Sequence, residues 1–170
     1  NQPQCVEPAA RKTAWKEGTM LSQTVGYAIN ALGHLADVGN DGPILVRDIA
    51  HATQIPSAYL SKIINTLAKK GFVLTQRGIK GGVSLARRAD EVTLYDLCFA
   101  LDDPLIQNRC MLGAATCSDE RACPAHRFWV SHRKRQLEFL RQTTLRNVAE
   151  FEAGSRARRM SENSAPAESV

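Results

Sequence analysis

The sequence predicts a mainly α-helical chain with one small β-hairpin, followed by a longer helix. Three observations carry this. Apolar residues recur at helical spacing in short segments between Ser22 and Leu101. Two short runs, Phe72–Arg77 and Val83–Ala86, flank the glycine-rich Gly78-Ile-Lys-Gly-Gly82, which tolerates positive φ and joins them as a hairpin. From Pro124 to about Arg141, Phe128, Trp129, Leu137 and Leu140 are interleaved with Arg and Lys over the length of one long helix.

Each element has local punctuation. In the first helix, from Ser22 to Ala36, Val25, Ala28, Ile29, Leu32, Leu35 and Ala36 form the buried stripe, and the Gly39–Pro43 turn cluster ends it. The second, Val46 to Thr53, turns Ile49 and Ala50 inward. Ile55-Pro-Ser57 breaks the chain, with Ser57 as N-cap of a third helix. That helix carries Leu60, Ile63, Ile64 and Leu67 on one face and stops at Gly71. Thr93-Leu-Tyr-Asp96 has the form of a capping box and opens a helix with Leu94, Leu97, Cys98 and Leu101 on its stripe, so Cys98 reads as a core thiol. Pro124 is a favoured first residue for the long helix, and Thr143-Thr144 cap a short last one with Leu145, Val148 and Phe151.

The composition bounds the function. The chain has 170 residues, 44% hydrophobic and 23% charged, which is ordinary for one globular domain with tails. No apolar run approaches the roughly 18 residues that span a bilayer. The polar segment Asn1–Thr19 ahead of Met20 has no signal-peptide core, reads as a peripheral extension, and makes its Cys5 an ordinary thiol. A cytoplasmic setting follows, where clustered cysteines bind metal or sense redox more often than they form structural disulfides. No paired acid and base or nucleophile motif marks an enzyme.

Net charge is +5, unevenly spread. Between Ser57 and Arg88 there are seven basic residues (Lys62, Lys69, Lys70, Arg77, Lys80, Arg87 and Arg88) and no Asp or Glu. A one-sign run over two elements is the footprint of an anionic partner. Two helices joined by a tight turn form a helix-turn-helix, whose second helix enters the major groove. Ser57, Tyr59, Ser61 and Lys62 are the candidate base and phosphate contacts on that helix. A hairpin after it is a wing, with Arg77 and Lys80 placed to reach phosphates or the minor groove. The fold class is therefore a winged helix-turn-helix plus a long dimerisation helix, with duplex DNA, in a pseudo-palindromic site, and a second copy of the chain as partners. Phe128, Trp129, Leu137 and Leu140 are the candidate dimer contacts.

Between wing and long helix lies Cys110-x6-Cys117-x5-Cys123-x2-His126. Cys123 and His126, three apart at a helix start, can share one face, where the helix N-terminus favours thiolate. Three soft thiolates and an imidazole suit zinc or an iron–sulfur centre. Three readings stay open: a cluster-bearing regulator, a zinc-bound Cys3His regulator or RNA-binding module, and a metal-free thiol-redox regulator. His34, His51 and His132 read as surface or packing residues.

The order of these parts resembles the Rrf family of bacterial transcription regulators, in its iron–sulfur cluster-binding branch, on "YAINAL", "IPSAYLSKIINTLAKKGFV", "RGIKGGVSLA" and "CPAHRFW". The resemblance covers Met20 to about Phe151. It implies homodimers built on the long helix, with a cluster beside it ligated by Cys110, Cys117, Cys123 and His126. In a nitric-oxide-sensing branch the fourth ligand is an aspartate just before the first-helix tyrosine; here Gly26 precedes Tyr27. That favours His126 and a [2Fe–2S] over a [4Fe–4S] cluster. One departure stands out: the branch usually has five residues between the first two cysteines, and this chain has six. The resulting division is an extension (1–19), a winged domain (20–103), a cysteine loop (104–126), dimerisation helices (124–152) and a disordered tail (153–170).

Overall fold

In the computed structural model, residues 21–38, 42–78, 81–113, 115–121 and 123–163 are described. Helix α1 (Gln23–Val38) is the hub, because its apolar stripe (Val25, Ala28, Leu32, Leu35) is wide enough to bury against several neighbours. Helices α2 (Val46–Thr53) and α3 (Ser57–Lys69) pack on one side of it. Leu32, Ile49, Leu60, Ile64 and Leu67 are fully buried where the three meet. Each such side chain contributes about 1.5–3 kcal/mol of burial.

Gln54, in the left-handed region at φ 58°, ends α2, and Gly71 at φ 76° lets the chain turn out of α3 into the wing. Strands β1 (Val73–Gln76) and β2 (Gly82–Leu85) pair antiparallel, Val73 opposite Leu85 and Gln76 opposite Gly82. Ile44 adds a bridge on the far side of β2, exchanging both backbone hydrogen bonds with Val83 at 2.9 and 2.8 Å. Gly82 sits where the wing crosses that bridge.

Helix α4 (Leu94–Ala100) opens with the expected box: the Thr93 hydroxyl accepts from the Asp96 amide and the Asp96 carboxylate accepts from the Thr93 amide. Two single 3-10 turns follow, Pro104–Ile106 and Asp119–Arg121, then α5 (His126–Gln142) and α6 (Leu145–Asn163). Thr144 and Asn147 cap α6 reciprocally through the Thr144 hydroxyl and the Asn147 amide oxygen. A second cluster of Val25, Leu94, Cys98 and Leu140 joins α4 and α5 to α1.

Helix α6 returns along α1 at close range. A Cβ on Gly33 would lie 2.9 Å from Val148 Cγ1. Gly33→Ala gains about 1 kcal/mol of helix propensity but overpacks a stiff β-branched neighbour, which costs about 1–3 kcal/mol. The expected net is a destabilisation of about 1 kcal/mol in denaturant melts, and the Gly33→Ala effect reverses in sign when measured in a Val148→Ala background.

Four sequence expectations need correction. Pro56, not Ser57, is the N-cap of α3, and no side chain caps it. Helix α5 begins at His126 rather than Pro124, because Pro124 and Ala125 are spent on a turn closed by the His126 amide on the Cys123 carbonyl at 2.9 Å. The last helix is not short: α6 runs to Asn163, so much of the segment from 153 that reads as a disordered tail is helical. Leu140, expected at a subunit contact, is 3% exposed and belongs to this chain's own core. Residues 1–19 with Cys5, the wing-tip Lys80 and residues 164–170 lie outside the described residues.

Candidate nucleic-acid interface and metal centre

The exposed face of α3 presents Ser57, Lys62 and Asn65 to solvent. Beside it runs a groove of about 640 Å3 between the start of α2, the outer face of α3 and the wing; Arg47, Ser61, Asn65, Gln76 and Arg77 supply its polar lining. Arg77 and Ser61 thus line one groove. Arg47, Asn65 and Gln76 join them unannounced; Asn65, one turn beyond Ser61, was findable from the i, i+4 spacing. Tyr59 departs from expectation. Its hydroxyl bonds the Thr24 hydroxyl at 2.6 Å, and its ring meets Tyr27 edge-on at 5.6 Å, so it ties α3 to α1.

The basic run is also thinner in three dimensions than in sequence. Arg87 lies over the Phe72 ring at 4.9 Å. Arg88 bonds Asp90 at 2.7 Å, and its guanidinium holds that carboxyl down to about 2. Neither is displayed as a free cation. Arg47 is likewise paired, with Asp48 at 3.5 Å, so among the described residues of the run Lys62, Lys69, Lys70 and Arg77 are the exposed cations outside these pairings.

The cysteine loop folds as a small hairpin. Arg109 bridges Thr116, the Cys110 amide donates to the Ala115 carbonyl at 2.8 Å, and the Cys117 amide donates to the Asn108 carbonyl at 3.2 Å. The six-residue span between Cys110 and Cys117 closes within this hairpin. Helix α5 grips the loop's entry strand: Trp129 Nε1 donates to the Arg109 carbonyl at 2.8 Å, and Arg133 Nη2 to the Ile106 carbonyl at 2.7 Å.

The four candidate ligands come together as two pairs. Cys110 Sγ lies 3.9 Å from Cys123 Sγ, and Cys117 Sγ lies 3.3 Å from His126 Nδ1. Cys123 and His126 therefore face different partners, although their spacing would let them share one face. Among the described residues no three His, Cys, Asp or Glu side chains converge on one ion position. Two donors sharing one tetrahedral metal are about 3.8 Å apart for S/S and about 3.6 Å for S/N, given bonds of about 2.3 and 2.1 Å. Both observed pairs are near that bite. His126 Nε2 lies 2.8 Å from Asp119 Oδ1, so the carboxylate holds the outer nitrogen and leaves Nδ1 facing the cysteine. A cavity of about 370 Å3 lined by Cys117, His126, Trp129 and Arg133 adjoins the second pair, and the buried Arg133 Nε has no hydrogen-bond partner. No sequence motif marks Asp119 or Arg133. Only the position of Asp119, two residues after Cys117, offered a signal.

Cys98 stands apart. It is fully buried on the inner face of α4, and desolvation pushes its thiol up to about 12, so it stays protonated. On α5, Trp129 and Leu137 are half-buried against this chain, whereas Phe128 (60% exposed) and Phe139 (59% exposed) point outward. Phe128, His132, Arg135 and Phe139 recur at helical spacing, and Phe128 stacks on His132 at 5.8 Å.

A helix-turn-helix with a paired wing and a cationic groove between them is the architecture of a DNA-binding transcription regulator, and the relatives of this chain are regulators rather than enzymes. Comparison with known proteins agrees. The Rrf2 family, described as an iron-dependent transcriptional regulator, matches residues 21–150, and the chain belongs to that family. It is 31% identical over 135 residues to an HTH-type transcriptional regulator of Aquifex aeolicus, covering 78% of this chain and 93% of that protein. It is 30% identical over 119 residues to the HTH-type transcriptional regulator IscR of Pectobacterium atrosepticum, covering 70% of this chain and 72% of that one. Among solved structures, the global cysteine regulator CymR of B. subtilis superposes with a TM-score of 0.64 at 27% identity, covering 76% of this chain and 95% of that chain. The fold is shared with T. potens IscR at a TM-score of 0.61 and 24% identity, covering 79% and 89%. No helix among the described residues is long and apolar enough to cross a membrane.

Proposed function

We propose that the chain is a homodimeric, cytoplasmic transcription regulator whose binding to a two-fold DNA site is set by an iron–sulfur cluster held by Cys110, Cys117, Cys123 and His126. The observation that carries the reading is the division of the four donors into two pairs, each with the bite of one tetrahedral metal. A [2Fe–2S] cluster uses two donors on each of two irons, whereas a single zinc needs all four around one point. Cys110 and Cys123 would hold one iron, Cys117 and His126 the other. The orphaned Arg133 N–H, in the cavity that Cys117 and His126 line, supports an acceptor there. The family's description as an iron-dependent regulator supports iron over zinc at this site.

Bound there, the cluster would supply a redox- and nitric-oxide-reactive centre that cross-links the loop hairpin to the first turn of α5. The outward Phe128 and Phe139 supply the apolar surface for a second copy, replacing Leu140 in that role. Two winged domains would then face successive major grooves, with Ser57, Ser61 and Lys62 on base edges and phosphates and Arg77 and Lys80 of the wing alongside the backbone.

The DNA half is tested on Lys62→Ala and Arg77→Ala with a duplex selected from a random library by the wild-type protein. Each should weaken binding by about 1–3 kcal/mol and flatten the slope of log K against log salt by about one. Unchanged affinity and slope in both would remove α3 and the wing from the interface.

A further inference from the structure

We propose that Asp103 is the positioning residue that couples the cysteine loop to the DNA-reading helices. The proposal rests on the cluster-controlled reading above and names the joint through which that control passes.

Asp103 is the one charged side chain among the described residues that is fully buried, at 1% exposure. A carboxylate out of water is costly unless its lone pairs are satisfied. Here two backbone amides satisfy it, and they belong to opposite ends of the machine. Oδ2 accepts from the Ser22 amide, at the entrance to α1, at 2.9 Å. Oδ1 accepts from the Leu105 amide, at the entrance to the cysteine loop, at 2.8 Å. The residue itself is fixed by its own amide on the Cys98 carbonyl at 2.9 Å, after a left-handed turn at Asp102 (φ 53°) and ahead of Pro104. No salt bridge among the described residues uses this carboxylate.

From that joint, bonded contacts run both ways. Toward the loop, Arg133 holds the Ile106 carbonyl and Trp129 the Arg109 carbonyl, one residue before Cys110. Toward the DNA face, two residues beyond Ser22, the Thr24 hydroxyl bonds the Tyr59 hydroxyl in the first turn of α3 at 2.6 Å. A rearrangement of the hairpin that moves Leu105 moves the carboxylate, and the carboxylate moves the start of α1 and with it the seat of Tyr59. Spatial contiguity alone does not establish coupling; a change in one site's response to the other does.

The test measures affinity for the library-selected duplex with cluster-loaded and cluster-free full-length protein, for wild type, Asp103→Asn and Thr24→Val. Asparagine keeps one acceptor oxygen and loses the other, and Thr24→Val cuts the chain at a second joint without touching the carboxylate. The expected result is that the ratio of loaded to cluster-free affinity falls toward one in both variants. Iron content and cluster-free affinity stay within about twofold of wild type, a difference of about 0.4 kcal/mol. A purely structural Asp103 would shift both affinities together and leave the ratio intact. Should Asp103→Asn fail to fold by circular dichroism, Thr24→Val decides alone. A wild-type ratio retained in the folded variants overturns the coupling role and leaves the cluster reading standing. A wild-type ratio of one despite full iron loading overturns both the control reading and this proposal.

Discussion

Cys123→Ser, purified without air, is expected to be colourless, with iron and sulfide content at least about tenfold below wild type, a binding loss of more than about 1.4 kcal/mol. Cys123 has one thiol partner, Cys110, at 3.9 Å, and among the described residues no third donor stands ready to replace it. Serine supplies a hard, protonated hydroxyl where iron–sulfur ligation needs a soft thiolate. Cys98→Ala is the matched control, because that thiol is sealed in the core and stays protonated, so its loss should leave iron content unchanged. Iron measured on both variants checks the pair; retention of wild-type colour by Cys123→Ser would take this residue out of the ligand set.

Gly82→Ala is expected to destabilise the winged domain by about 2–3 kcal/mol, more than Gly33→Ala, although each adds one methyl group. The difference lies in what the methyl meets. At Gly33 it meets the end of a side chain. At Gly82 it meets the backbone of Ile44, with the carbonyl oxygen at 2.7 Å and the nitrogen at 2.9 Å, and φ of 158° strains any L residue there. Relief requires breaking the Ile44–Val83 bridge, which is what anchors the wing beside α3. Denaturant melts should register the loss, and duplex binding should weaken in parallel as Arg77 is displaced. An unchanged melt would mean that the bridge does not anchor the wing.

The first four helices and the wing were legible because each has its own local signal. Gly71 turns the chain out of α3, Thr93 and Asp96 form a reciprocal cap, and the apolar stripes of α1 and α3 keep strict period. Cys98 was legible as a core thiol for the same reason. Signals failed where an element lacks a buried stripe or where tertiary contact decides. Beyond Ala153 the polar, Arg-rich sequence has no apolar face to read, yet the chain continues as α6. Leu140 and Phe139 are neighbours in sequence, and only the position of α4 and α1 decides which of them is buried. The same limit applies to the metal donors. Spacing picked out Cys110, Cys117, Cys123 and His126, but the pairing depends on a hairpin closed by Arg109 and Thr116 that no motif announces. By sequence Tyr59 reads as a DNA contact because it lies in the first turn of α3; Thr24, thirty-five positions away, is what claims its hydroxyl.

Iron, acid-labile sulfide and zinc counted on one anaerobically purified sample of the full chain test the central claim most directly. A cluster held by two donor pairs predicts about two iron and two sulfide per chain and negligible zinc, with visible absorption lost on chelation. One zinc per chain with no sulfide would contradict it, and the four donors would then have to close around a single ion.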